Sequence, residues 1–236
     1  MIFDFIEAVK DADIMSVISI LLSSAILVFL CFPVHESAHA WAAYHMGDGT
    51  AKAQGRITLN PAKHLDPLGT AMMLLCGVGY AKPVPVNPFF FKNRKLGMAV
   101  TAIAGPISNF IMAIIAVLVY VLNINLLLPF VYDSVIGLII CQVIKIVFFY
   151  IGWINISLGI FNMIPVPPFD GSRILTLILP ERIYFKIMQY ERVIFYVFLA
   201  LLIFGFLDGY LSTACENVFN ALVYIFSIPF GGLWYQ

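Results

Sequence analysis

Residues 14–46 read IMSVISILLSSAILVFLCFPVHESAHAWAAYHM. About twenty apolar residues cross the hydrocarbon core of a bilayer as a helix. This run is longer, so it predicts a helix that is tilted, kinked near Pro33, or carried past the membrane surface. Its polar end holds His35-Glu36-Ser37-Ala38-His39. A helix puts residues i and i+4 on one face, so His35 and His39 can offer two imidazole nitrogens to one metal ion. Glu36, between them, is placed to take a proton from a water at that metal. Two histidines and a carboxylate this close to lipid are costly unless something uses them. The competing reading is a polar helix end whose histidines are solvated or hydrogen-bonded.

The rest of the composition agrees with a membrane setting. The chain is 62% hydrophobic and 11% charged, with a mean hydropathy of +0.97. Soluble domains are nearer half apolar and a quarter charged, which predicts an all-α polytopic membrane protein. Thirteen basic residues balance thirteen acidic ones, which gives no support to nucleic-acid binding. The N-terminus, with Asp4, Glu7, Asp11 and Asp13 against Lys10, lacks the basic start of a secretory signal. Cys31, Cys76, Cys141 and Cys215 are widely spaced with no CxxC pair, and read as small buried hydrophobes.

Hydropathy places further spans at Gly97–Leu122, Ser134–Ile164 and Tyr190–Leu207. Cys215–Ile228 is shorter and reads as an interfacial or half-crossing helix. The expected total is about four to six transmembrane helices, with a short re-entrant or β-like segment near the active site. Gly69–Ala81 is too short to cross and is followed by Pro83-Val84-Pro85, which suggests a re-entrant or interfacial loop. Ala53–Leu59 is a candidate extended stretch. The loop from Gly47 to Leu96 holds Lys52, Arg56, Lys63, Lys82, Lys92, Arg94 and Lys95 against Asp48 and Asp66. Pro165–Gln189 adds Arg173, Arg182 and Lys186, whereas Asn123–Asp133 has no basic residue. The positive-inside rule therefore predicts an external N-terminus and cytoplasmic basic loops, in the cell membrane. No internal repeat or linker divides residues 1–236, so one membrane-embedded domain is expected.

A catalytic zinc takes three protein ligands and keeps a fourth position open. The candidate third ligand is Asp170, in Asn162-Met163-Ile164-Pro165-Val166-Pro167-Pro168-Phe169-Asp170-Gly171. It follows a span that runs in the same direction as the first, so both ends meet at one membrane face. An Asp-Gly turn after a proline-rich helix exit is the plainer reading of that segment taken alone.

The chain resembles the site-2 protease family of intramembrane zinc metalloproteases, in its compact form without PDZ or CBS domains. The resemblance rests on the His35–His39 motif, on Gly55-Arg56-Ile57-Thr58-Leu59-Asn60-Pro61 with His64, Asp66-Pro67 and Gly69, on Ala104-Gly105-Pro106 with Asn109, and on Asn162 to Gly171. It implies that His35, His39 and Asp170 bind one catalytic Zn2+ and that Glu36 is general base and acid. It implies that Asn162 holds the substrate or its transition state. The expected partners are a transmembrane protein substrate and the bilayer, and a homo-oligomer stays open. Asn109 and Gly105 read as helix-packing residues, His64 as a loop-ordering hydrogen bond, His45 as interfacial, and Lys145 as a snorkelling cation. Two rival functions remain at this point: a membrane metal-ion transporter using the HExxH pair, and a non-catalytic protein that binds membrane clients.

Overall fold

The computed structural model describes residues 2–70 and 82–231. Helix α1 (Ile2–Lys10) leads into α2 (Ile14–Ile26). Asp13 caps α2: its carboxylate accepts from Ser16 N at 3.1 Å and from the Ser16 hydroxyl at 2.6 Å, which satisfies a donor that the first turn would otherwise leave unpaired. A π-helical turn, Leu27–Cys31, carries α2 into α3 (Phe32–Met46). Pro33 lies just beyond that turn. A proline has no N–H, and its ring crowds the carbonyl one turn back; widening the preceding turn makes room and keeps the helix continuous.

Gly47, at φ 113°, stops α3, and α4 (Thr50–Ala53) is a single turn. The second long helix is α5 (Arg94–Leu122). It continues through another π turn, Asn123–Leu127, into α6 (Leu128–Val131), and Pro129 again follows directly. Then come α7 (Val135–Met163), α8 (Gly171–Ile178), α9 (Glu181–Gln189), α10 (Glu191–Ile203) and α11 (Asp208–Ser227). Among the described residues, four stretches are long and apolar enough to cross a membrane: Ile14–Met46, Arg94–Val131, Val135–Met163 and Gly209–Phe230. The chain is an all-α polytopic membrane protein.

Two contacts fix how the first and third of these helices meet. The Ser23 hydroxyl lies 3.2 Å from Val147 O, and Asn155 Nδ2 lies 3.4 Å from Cys31 Sγ; both pairs are 124 residues apart in sequence. A constant offset means that the helices run parallel and in step. By contrast α5 runs antiparallel to α7, since Gly152 faces Val117 and Gly159 faces Phe110. The last helix, α11, is antiparallel to α7 too, with Cys215 at Ser157 and Phe219 against Phe149 and Trp153. Ala113, Val117, Val121, Ile156, Cys215 and Phe219 form one buried cluster. Leu27, Cys31, Ala116, Val147 and Ile151 form another. Within lipid such clusters hold by close packing, because hydrocarbon is no less apolar than the core. Cys31, Cys141 and Cys215 are buried free thiols; Cys76 lies outside the described residues.

Three expectations from sequence change. Tyr190–Leu207 does not form one membrane-length helix: α10 has 13 residues, about 20 Å of helix against a 30 Å hydrocarbon core, and turns containing Gly205 at φ 73° follow it. The fourth membrane-length helix is instead Gly209–Phe230, with Cys215–Ile228 inside it. The stretch from Ala53 to Leu59 pairs as no strand. Ala53 ends α4, Gly55 turns at φ 67°, and Ile57 and Thr58 are bends. The expected re-entrant loop at Gly69–Ala81 lies, from residue 71 onward, outside the described residues.

A Cβ at Gly159 would sit 2.9 Å from the Phe110 ring. Gly159→Val must displace that ring or part α5 from α7, a cost of about 1–3 kcal/mol. Thermal denaturation of the purified protein in detergent should show a lowered midpoint.

Candidate metal centre

The parallel register carries His39 to the level of Met163, where α7 ends. Residues 164–170 then turn the chain back onto α3, with hydrogen bonds from Val166 N to Ile164 O at 2.8 Å and from Phe169 N to Val166 O at 3.0 Å. Gly171 lets this turn close. A Cβ there would meet the main-chain oxygens of Met163 and Ile164 at 2.4 and 2.6 Å, so only glycine brings α8 up against the end of α7. Asp170 is thereby aimed at the histidines.

Three ligand atoms converge. His35 Nε2 and His39 Nε2 are 3.0 Å apart, and Asp170 Oδ2 lies 3.4 and 3.2 Å from them. Bonds of 2.0–2.1 Å in tetrahedral directions put any two ligand atoms about 3.3 Å apart, so the triangle has the size that zinc requires. His39 Nδ1 is 2.7 Å from Thr101 O. A carbonyl can only accept, so Nδ1 carries the proton there and Nε2 turns its lone pair inward. That lone pair faces a second imidazole nitrogen and a carboxylate oxygen, an arrangement that a cation relieves. Both histidines are 7% exposed. These three residues could hold one divalent metal ion.

Gly105 shapes the other wall. A Cβ at this position would fall 2.3 Å from His39 Nε2 and 2.6 Å from His35 Cε1. Its absence lets α5 press directly on both rings, with Thr101 one turn away. Sequence alone assigns Gly105 a packing role and does not single out Thr101. The i, i+4 spacing of Thr101 and Gly105 was visible, but which helix they faced was not.

Glu36 is half-buried beside the ligands. Asn162, also half-buried in the last turn of α7, makes no side-chain hydrogen bond among the described residues. Asn109 is buried, and Asn155, one turn from Ile151, donates to Ile151 O at 2.8 Å. His64 is fully buried in the loop after α4, where its Nε2 donates to Thr58 O at 2.8 Å. The Ser37 hydroxyl donates to the same carbonyl, so that loop is fastened next to Glu36. Arg56, 4% exposed, ties it from behind, donating to Lys63 O, to Lys82 O at 3.0 Å and to Pro83 O at 2.5 Å. Asp48 accepts from Thr50 N at 2.9 Å and from Asn87 N at 2.6 Å. His45 is exposed and lies on Trp41, its Nδ1 2.8 Å from Trp41 O, away from the ligands. Lys145 is exposed on α7 and has no partner among the described residues.

Comparison with known proteins supplies a family. The sequence model described as Peptidase family M50 matches residues 23–205. The chain is 42% identical over 184 residues to a Bacillus subtilis protein named "Putative zinc metalloprotease YwhC", covering 75% of this chain and 78% of that protein. It is 26% identical over 158 residues to "Putative zinc metalloprotease Rip2" of Mycolicibacterium smegmatis, covering 64% of this chain and 54% of that protein. The Rip2 protein of Mycobacterium tuberculosis is 26% identical over 151 residues, with 61% and 52% covered. The chain thus spans about half the length of the two mycobacterial proteins. No solved structure matches it.

Gly105→Ala puts a methyl group where the ligand rings stand, so zinc affinity should fall at least about tenfold. Metal analysis of the purified variant, beside its thermal midpoint, reads this directly; full zinc content would contradict the ring positions. A second expectation concerns acid. Burial pushes the His64 imidazole below its ordinary value, against the Thr58 hydrogen bond. A lowered folded pKa means that the neutral form stabilises the fold. That contribution is complete above about pH 6.5 and is lost as pH falls towards the depressed value. The thermal midpoint should therefore drop below pH 6.5 more steeply in the wild type than in His64→Gln.

Proposed function

This chain belongs to peptidase family M50, and from that premise we propose that it is an intramembrane zinc metalloprotease. It hydrolyses peptide bonds within or beside the transmembrane segments of other membrane proteins. The observation that carries this reading is the triangle of His35 Nε2, His39 Nε2 and Asp170 Oδ2, 3.0 to 3.4 Å on a side, with Glu36 in the same helical turn.

Zinc held by these atoms would lower the pKa of water to about 7 and polarise the substrate carbonyl. Glu36 then accepts the proton that the water gives up as its oxygen adds to the carbonyl carbon. As the C–N bond breaks, Glu36 returns that proton to the amine nitrogen, so one carboxylate acts as base and then as acid. Asn162 has its amide unengaged and donates to the oxygen on which negative charge develops. Thr101 O fixes the His39 ring, and Gly105 leaves it room. The Ser37–Thr58–His64 contacts keep the neighbouring loop in place as the substrate segment enters.

The cationic loops on either side of the site support a cytoplasmic placement for it, with the N-terminus outside. Four of the cations in residues 47–93, Lys52, Lys63, Lys82 and Lys92, are exposed and available to anionic headgroups. The two rival functions make a different demand. Neither transport nor client binding needs a proton acceptor between the ligands.

The test is cleavage of a model single-pass substrate by purified protein in detergent, with zinc measured on every variant. Glu36→Gln should keep its zinc and lose at least about a hundredfold in rate. Asp170→Ala should lose zinc and cleavage together. Cleavage that survives Glu36→Gln would overturn the assignment of the base.

A further inference from the structure

One face of α11 does not suit its surroundings. The helix lies in a stretch long and apolar enough to cross the membrane, Gly209–Phe230. Its inner face is apolar: Cys215 is 3% exposed and Phe219 6%. Its outer face carries Thr213, Glu216, Asn217 and Asn220, all exposed. At helical spacing i, i+3, i+4 and i+7, these form one stripe. The side chains of Glu216 and Asn217 have no hydrogen bond or ion pair among the described residues.

The stripe is not at the helix margin. Cys215 touches Ser157, and Phe219 packs on Trp153, so Glu216 lies level with residues 156–157 of α7. Seven residues separate that level from Met163, which is about 10 Å of helix. A carboxyl and a carboxamide at such depth are costly against lipid and normally find partners. Within the chain α10 does not cover them, since its Phe198 is directed at Phe161 and Phe169. Lys145 is another exposed ionisable side chain within a membrane-length helix. It lies about 16 Å from the Glu216 level along α7, so it cannot meet Glu216 in a copy held at equal depth.

We propose that this stripe is the interface of a symmetric dimer, with α11 packed on α11 of a second copy. A two-fold axis along the membrane normal puts each residue opposite its own counterpart at the same depth. An asparagine amide is then self-complementary, having two N–H donors and one carbonyl acceptor. Asn217 pairs with its counterpart, and its second N–H reaches the Glu216 carboxylate of the other copy. The main chains can approach closely enough. Gly209 and Thr213 are four residues apart at the head of the stripe, and a Cβ at Gly209 would meet nothing within 4 Å. The Thr213 hydroxyl turns back to Gly209 O at 2.7 Å, which leaves that surface small. A helix of another protein would have to supply this set of donors and acceptors at this depth, whereas a second copy supplies it by symmetry.

The experiment uses the full chain in native membranes. Asn217→Cys, in a background with the four natural cysteines replaced by alanine, should form a disulfide-linked dimer on mild oxidation. Ile115→Cys, on α5 and also exposed at 49%, should not. In lipid nanodiscs the wild type should be dimeric by single-molecule bleaching. Glu216→Leu with Asn217→Leu should raise the dimer dissociation constant about tenfold, with zinc content and thermal midpoint retained. Asn217→Gln should restore association, because the amide is restored. A monomeric wild type overturns the proposal, as does Asn217→Cys cross-linking no better than Ile115→Cys. Cross-linking of Asn217→Cys to an added single-pass substrate in preference to itself also overturns it, and assigns the face to that helix. None of these readouts depends on catalysis, so they fail or succeed separately from the protease reading.

Discussion

The parallel register between the first and third membrane helices is the constraint on which the candidate metal centre rests. Ser23 meets Val147 and Cys31 meets Asn155, each across the same 124 residues. Extending that offset puts His39 beside the end of α7, and a short proline-rich turn then brings Asp170 back by the few ångströms needed. A slip of one residue along α7 would rotate its face by about 100° and shift it by 1.5 Å. The ligand atoms lie 3.0 to 3.4 Å apart, so the site does not survive such a slip. The π turn at Leu27–Cys31 belongs to the same constraint. It absorbs Pro33 without breaking the helix, and by adding a residue to one turn it sets which way His35 and His39 face.

Around this register the chain uses missing side chains as much as present ones. Gly105 gives the two imidazoles space, and Gly171 lets the Asp170 turn lie against main-chain oxygens. Thr101 contributes only a carbonyl. Outside the spans the chemistry reverses, and buried polar groups hold the structure. Arg56, His64 and Asp48 are each almost wholly enclosed and make most of their hydrogen bonds with backbone groups. A guanidinium surrounded by carbonyls fixes an irregular loop where no ladder of main-chain hydrogen bonds exists to do so. The segment following α4 is consequently ordered beside Glu36 without being a strand.

The two helices misjudged from sequence have a common cause. Hydropathy counts residues and ignores direction. Tyr190–Leu207 is rich in apolar side chains, yet its helix is 13 residues long and gives way to turns. Gly209–Phe230 contains Glu216, Asn217 and Asn220, which dilute its average, yet its Cys215 and Phe219 face seals the core. A polar stripe on one side and an apolar stripe on the other average to an ambiguous number. Only the packing of α11 on α5 and α7 shows which side is in contact and which is left outward.

Membrane class, the pairing of His35 and His39 on one helical face, the carboxylate of Glu36 between them and the candidacy of Asp170 were all legible in the sequence. Each of those depends on local spacing or composition: a period of 3.6 residues, a run of apolar residues, an Asp-Gly after a helix exit. Tertiary structure decided the rest. That Asp170 meets the histidines, that Gly105 faces their rings and that Thr101 orients one of them all depend on the relative register of α3, α5 and α7. Register between helices in lipid is set by close packing over many side chains, and no short window of sequence contains it.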